Sequence, residues 1–144
     1  MMASTQAGRQ LREWETVWVA APASVGPARR QVRAVLAERG WPADRLDDLL
    51  LICSELVTNA VRHAGDPGGE VRIRLLETGD ACRIEVTDTR PDLPLPGLPT
   101  VRDEGGRGLL LVRSLAADFG VAGHPGRGKT VWAVVRRNQC RARP

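Results

Sequence analysis

Three polar side chains spaced four residues apart are the first candidates for chemistry: Glu55, Asn59 and His63. On a helix this spacing aligns them along one face. Asparagine is unfavourable inside a helix, because its amide competes with the backbone for hydrogen bonds, so its presence asks for a reason. Its amide oxygen and the neighbouring carboxylate are hard oxygen ligands of the kind that Mg²⁺ binds. This face is therefore either a metal site or an ordinary solvated polar face.

A cluster of glycines, running from Gly105 to Leu109, precedes an apolar stretch. Glycines let a backbone approach a phosphate closely, and the N–H groups of a first helical turn can hold the phosphate. The cluster is neither a Walker-type phosphate loop nor a full dinucleotide fingerprint. A phosphate site and a flexible helix entry are both open interpretations at this point.

Two further polar residues lie at the ends of alternating apolar runs. Asp88 closes one run, and its carboxylate could accept a hydrogen bond from an exocyclic amine such as that of adenine. Thr130 follows Gly128 and Lys129 at the start of the last run and could complete a polar pocket. The simpler alternatives are a turn aspartate and a β-branched strand start.

The element that must position the first group is a long helix opening near Pro42 and ending near Ala64. Its apolar residues recur at helical spacing and form one stripe: Leu46, Leu49, Leu50, Cys53, Val57, Ala60 and Ala64. The line through Glu55 and Asn59 points away from that stripe, at about 100° per residue. The sequence therefore predicts an amphipathic helix with a polar face available for ligands.

The remaining pattern predicts the order β-α-α-β-β-loop-α-β-β. Strands are expected at residues 16–21, 71–75, 83–86, 119–122 and 130–136, and the other helices at residues 25–39 and 109–117. Residues 89–105 hold four prolines and are expected to form a long loop. The result is a two-layer α/β (α+β) sandwich, a mostly antiparallel mixed sheet with three helices on one face. It would span residues 14–136, with a disordered segment at 1–13 and a basic tail at 137–144.

Composition narrows the function classes. The chain of 144 residues fits one domain, and aromatic residues make up only 3% of it, which argues against stacking on single-stranded nucleic acid. Its three isolated cysteines follow no metal-binding spacing and predict reduced thiols. No apolar run approaches the roughly 18 residues of a membrane span. We expect a cytoplasmic protein with no membrane segment and no direct nucleic-acid partner.

Taken in order, these motifs resemble the ATP-binding domain shared by gyrase, Hsp90, histidine kinases and MutL, the GHKL type with its Bergerat fold. The chain is more narrowly similar to the stand-alone anti-sigma factor serine kinases of actinobacteria. The resemblance extends over residues 14–136 and is carried by the stretch from Glu55 to His63, by Asp88, by Gly106 to Leu109, and by Gly128 to Thr130.

The resemblance implies roles for these residues. Asn59 would coordinate the Mg²⁺ of an ATP complex, and Glu55 would be the general base or position the attacking hydroxyl, with contact to the metal through water as an alternative. Asp88 would bind the adenine amino group, and Thr130 would support the adenine side. Further nucleotide contacts would come from Arg62, His63, Gly106, Arg107, Gly108 and Leu109. Residues 89–105 would be the lid over ATP.

The same resemblance implies partners. The protein would phosphorylate a serine of an anti-sigma factor antagonist, sequester a sigma factor, or do both, and it would form a homodimer. One departure concerns the segment after Asp88: the family usually continues with glycines, whereas this chain reads Thr89-Arg90-Pro91. That departure favours an alternative, a non-catalytic regulator that binds nucleotide or a partner. A third hypothesis is an unrelated interaction domain that uses its basic tail on nucleic acid.

Overall fold

The computed structural model describes residues 11–64, 69–88, 106–124 and 128–138. The strands are β1 (Arg12–Val19), β2 (Glu70–Glu77), β3 (Ala81–Asp88), β4 (Asp118–His124) and β5 (Gly128–Arg136). The α-helices are α1 (Val25–Glu38), α2 (Ala43–Ala64) and α3 (Gly106–Leu115), and a short 3₁₀ helix at Pro22–Ser24 leads into α1. The predicted lid at 89–105 lies outside the described residues, as do residues 1–10 and 139–144.

The five strands form one sheet in the order β1-β2-β3-β5-β4, and each described pair is antiparallel. The three helices cover one face of it, and α2 is central, packing against α1, α3 and the sheet. This arrangement confirms the predicted α+β sandwich.

The core lies between the helices and the alternating inward positions of the strands. Val71, Ile73 and Leu75 of β2 are fully enclosed, and Ile84 and Val86 of β3 lie beside them. Burial of this period-2 pattern against the apolar stripe of α2 fixes the register, because a slip of one residue would turn every inward side chain to solvent.

Strand β1 begins earlier than the sequence predicts. Its first residues, Arg12 and Glu13, belong to the strand, although the prediction placed them in a disordered segment. The reason is a set of cross-strand ion pairs with β2: Glu13 binds Arg74 at 3.1 Å and Glu15 binds Arg72 at 2.7 Å. Charge pairing across a ladder stabilises a strand without leaving an apolar pattern in its own sequence.

A polar cluster lies at the end of the sheet where β2 finishes. Glu77 is buried at the end of β2, where it accepts hydrogen bonds from Arg39 and from Nε1 of Trp41, the latter at 2.8 Å. Gly40, with φ at 79°, makes the sharp exit from α1 that brings these two donors to the strand. The α1–α2 connection is therefore fixed to the sheet far from the candidate site.

Candidate functional site

Helix α2 carries the two central candidates, Glu55 and Asn59, on its second half. Asn59 is enclosed, with 9% of its surface exposed, and Glu55 one turn earlier is half-buried. Ile52 and Leu56 on the same side of the helix are also buried. Of the two interpretations of this face, a freely solvated one does not fit Asn59, because the packing of other elements against α2 leaves the residue buried.

Asp88 is the last residue of β3 and is only 2% exposed. Its side chain shares the helix-facing side of the sheet with Ile84 and Val86, which alternate with outward residues along the strand. The ladder sets it opposite Val71 of β2 and Lys129 of β5. Asp88 therefore places a buried carboxylate on the helix-facing side of the sheet.

Chain direction brings the candidates to the same end of the sheet. Helix α2 ends at Ala64, and β2 starts a few residues later beside Asp88. Helix α3 leads almost directly into β4, which starts opposite Val134 at the far end and finishes opposite Gly128 at the near end. Helix α3 packs against α2. The topology places the end of the helix that carries Glu55 and Asn59 at the same end of the sheet as the buried Asp88.

The structure does not bring Thr130 into this region, which corrects its predicted role on the adenine side. Thr130 lies on the sheet face away from the helices, where its hydroxyl is 2.7 Å from that of Thr87 and 3.0 Å from Nε2 of His124. Successive side chains of a strand point to opposite faces, and the inward positions of β5 are the odd ones, as buried Val131 and Ala133 show.

Lys129, for which no role was predicted, is the residue of β5 that shares the face of Asp88. It is half-buried directly opposite the carboxylate. Burial lowers the pKa of the Lys129 ammonium below its usual range, and the negative charge of Asp88 raises it in part. The signal was available in the sequence, because the apolar odd positions of β5 already place residue 129 on the inner face.

The other predicted contacts are only partly described. Arg62 lies on α2 and is exposed. His63 also belongs to α2, and α3 begins at Gly106, but the side chains of His63 and of Gly106, Arg107, Gly108 and Leu109 lie outside the described residues. Their assignment to the nucleotide stays a prediction.

The described donor set suits a cation that is held mainly by its nucleotide. Within the parts of the chain that the structure describes, no three His, Cys, Asp or Glu side chains cluster as metal ligands. Asn59 carries an amide oxygen, and Mg²⁺ commonly takes one or two protein ligands and completes its shell with phosphate and water. The residues present therefore fit a nucleotide-borne Mg²⁺ ion.

Comparison with known proteins assigns the class. A family model described as the histidine kinase-like ATPase domain matches residues 18–135, and the chain belongs to that family. This confirms the resemblance seen in the sequence. None of the described helices combines the length and the apolar character needed to cross a membrane.

Individual relatives are more specific. The serine-protein kinase RsbW of Bacillus subtilis is 35% identical in an alignment covering 74% of this chain and 76% of the relative. RsbW of Halalkalibacterium halodurans is 32% identical, with 70% and 72% covered. The crystal structure of the RsbU and RsbW domains of Rv1364c from Mycobacterium tuberculosis matches 87% of this chain with a TM-score of 0.66 and 22% identity. The present chain spans 32% of that longer chain, and the match shows a shared fold.

Proposed function

We propose that this chain binds ATP with Mg²⁺ and transfers the γ-phosphoryl group to a serine hydroxyl of a protein partner. The observation that carries the proposal is the placement of Asn59 and Glu55 on the helix that ends beside buried Asp88, in a chain of the histidine kinase-like ATPase family. Similarity to RsbW serine-protein kinases supports the choice of acceptor.

We infer the roles of the chain's residues from the family to which the chain belongs and from their positions. Asp88 accepts a hydrogen bond from the adenine amine, and Asn59 would hold the Mg²⁺ ion of the nucleotide through its amide oxygen. Glu55, half-buried and one turn earlier, takes the proton of the serine hydroxyl as its oxygen attacks the γ-phosphorus. The bond from the γ-phosphorus to the β,γ-bridging oxygen breaks, and ADP leaves. When bound, Mg²⁺ neutralises charge on the phosphates.

Positioning and electrostatics dominate phosphoryl transfer, so the protein has little covalent chemistry to perform. An enclosed amide and a buried carboxylate suit that task, since both are fixed by the packing of α2 and by the β3 ladder. A half-buried Glu55 suits a base that must meet a substrate arriving from outside the domain.

The partners belong to the same proposal. We infer that the phosphate acceptor is an anti-sigma factor antagonist, that the second partner is a sigma factor held by sequestration, and that the protein acts in the cytoplasm as a homodimer. The buried free thiols of Cys53 and Cys82 are compatible with a reducing compartment.

A phosphotransfer assay tests the proposal. Purified protein is incubated with γ-labelled ATP, Mg²⁺ and antagonist-type proteins of its own genome, and phosphoserine is identified by mass spectrometry. Glu55→Gln should retain ATP binding and reduce the transfer rate by about 10²–10⁴-fold, the range for loss of a general base. Glu38→Gln, an exposed change on α1, is the matched control and should leave the rate unchanged.

Two outcomes would redirect the assignment. If ATP binds but no antagonist is phosphorylated, the chain is a nucleotide-binding regulator, the alternative favoured by Arg90 in place of the usual glycine. If Glu55→Gln transfers phosphate as fast as the wild-type protein, Glu55 is not the base.

A further inference from the structure

Lys129 is the only lysine in the sequence; every other basic side chain apart from the two histidines is an arginine. The structure places it at the start of β5, in direct register with Asp88 of β3. Directly paired residues of antiparallel strands hold their Cβ atoms about 4.5–5.5 Å apart on the same face. A flexible ammonium donor therefore stands beside a buried carboxylate acceptor on the inner face of the sheet.

Partial burial of a charged ammonium costs free energy unless another group pairs with it. Lys129 is half-buried, and removal from water disfavours its charged form, which lowers its pKa; the negative charge of Asp88 opposes that effect. Lysine is seldom buried without a partner. An ion pair with Asp88 would stabilise the ammonium. The same carboxylate is the group that the proposed function assigns to the adenine amine.

The geometry points to Asp88 and Lys129 binding the same ligand, and this inference rests on the proposed function. We propose that Lys129 is a specificity-determining residue that donates a hydrogen bond to N1 of adenine while Asp88 accepts one from the N6 amine. The Watson–Crick edge of adenine carries a donor beside an acceptor, and enzymes read a base by hydrogen bonds to this edge. The Asp88–Lys129 pair presents the complementary order, acceptor beside donor.

Guanine offers the reverse order, with a carbonyl at position 6 and an N–H at position 1. In the same orientation it would set oxygen against the carboxylate and N–H against the ammonium. A site built from buried polar groups rejects a ligand that leaves those groups unmatched. The pair therefore favours ATP over GTP by attraction to one base and repulsion of the other.

The decisive comparison uses ATP and 1-deaza-ATP, which keeps the N6 amine and has C–H in place of N1. Binding to the wild-type protein is measured by calorimetry in the presence of Mg²⁺. The wild-type protein should bind 1-deaza-ATP about tenfold more weakly than ATP, the loss expected for one hydrogen bond to a charged group. Lys129→Met should bind both nucleotides equally and with a reduced preference for ATP over GTP. Lys129→Arg, which keeps a charged donor, should restore part of the difference between ATP and 1-deaza-ATP.

The outcomes separate this inference from the proposed function. Equal affinity of the wild-type protein for ATP and 1-deaza-ATP overturns the role of Lys129 even if ATP binds tightly and Asp88→Asn weakens it. Tighter ATP binding by Lys129→Met also overturns it, since Lys129 would then only compete for Asp88. A wild-type protein that binds no ATP overturns both proposals. The comparison of ATP with 1-deaza-ATP uses the wild-type protein. It therefore tests the inference even if Lys129→Met does not fold.

Discussion

At the scale of single residues, Asp88 and Lys129 show how a strand ladder sets opposite charges side by side beneath the helices. The pairing was not predicted from the sequence, in which Thr130 is the residue whose type is common in polar pockets. The apolar residues Val131 and Ala133 already determine which face Lys129 occupies. Asp88 itself was predictable as a strand-end carboxylate, whereas its near-complete burial depends on helices far away in the chain.

A titration of Lys129 tests its environment. With ¹³C-lysine labelling, the single lysine gives one side-chain signal, and its pKa should lie below the usual 10.5, because desolvation favours the neutral amine. Asp88→Asn should lower that pKa further, since it removes the nearby negative charge. The unfolded state then holds this proton more tightly than the folded state, so this group's contribution to stability rises with pH between the two pKa values. A pKa at or above 10.5 would contradict this burial.

The buried thiol of Cys53 gives a second test at this scale. Burial raises its pKa to about 12, while Arg29 lowers it slightly. A thiol in the unfolded chain has a pKa of about 8.5. The contribution of Cys53 to the free energy of unfolding is therefore present below that pH and is lost as the pH rises toward 12. In Cys140→Ser protein, the remaining thiols should react with a disulfide reagent at pH 8 only at the rate of unfolding. Rapid reaction of the folded protein would contradict the burial of Cys53 and Cys82.

At the scale of elements, β4 and β5 meet through an unusually close contact on the outer face of the sheet. A Cβ atom added to Gly120 would lie 2.5 Å from Cζ2 of Trp132. The guanidinium of Arg83 lies 4.2 Å from the centre of the Trp132 ring and restricts its escape. Glycine is therefore required here by the neighbouring indole, and the local sequence pattern gives no sign of it.

Gly120→Ala should consequently destabilise the protein by about 1–3 kcal/mol, the range for overpacking. In an uncrowded strand the same change is stabilising or neutral, because glycine loses more backbone entropy on folding. Urea unfolding measures the free energy of unfolding. In a Trp132→Ala background, the substitution should lose its cost; an equal cost in both backgrounds would show that the indole is not the obstacle.

The contact between the α1–α2 connection and β2 depends on one buried carboxylate. Trp41→Phe removes the hydrogen bond to Oε1 of Glu77 and weakens the stacking of Arg137 over the ring, at 4.4 Å. A buried acceptor that loses its donor costs about 1–3 kcal/mol. Trp18→Phe is the matched control, because its bond to Gln31 is exposed and should cost less. Equal losses in urea unfolding would refute the importance of the Glu77 cluster.

Sequence reasoning succeeded for elements whose pattern is local. The apolar stripe of α2 predicted a helix from Pro42 to Ala64, and the structure has Ala43–Ala64. It failed at the start of β1, where ion pairs with Arg72 and Arg74 replace apolar alternation. The burial of Asn59 could not be predicted either, since only the packing of other elements around α2 decides whether a polar helix face meets water.

At the scale of the whole molecule, one continuous core joins the sheet to α1, α2 and Val112 of α3. Helix α2 passes through its centre, and it carries the core residues Leu49 and Cys53 as well as the candidate site residues Glu55 and Asn59. Rigid elements position ligand-binding groups more accurately than loops do. The site therefore depends on the core, and variants of its residues need a folding control.

The central claim is that Asn59 coordinates the cation of a bound nucleotide. A calorimetric ATP titration, in the presence of Mg²⁺ or of EDTA, tests this claim most directly. The wild-type protein should bind ATP more tightly with Mg²⁺. Asn59→Ala should lose that gain, about tenfold or more for a ligand to a charged group, while Asn138→Ala, an exposed change, should keep it. A folded Asn59→Ala protein with an unchanged response to Mg²⁺ would contradict the account.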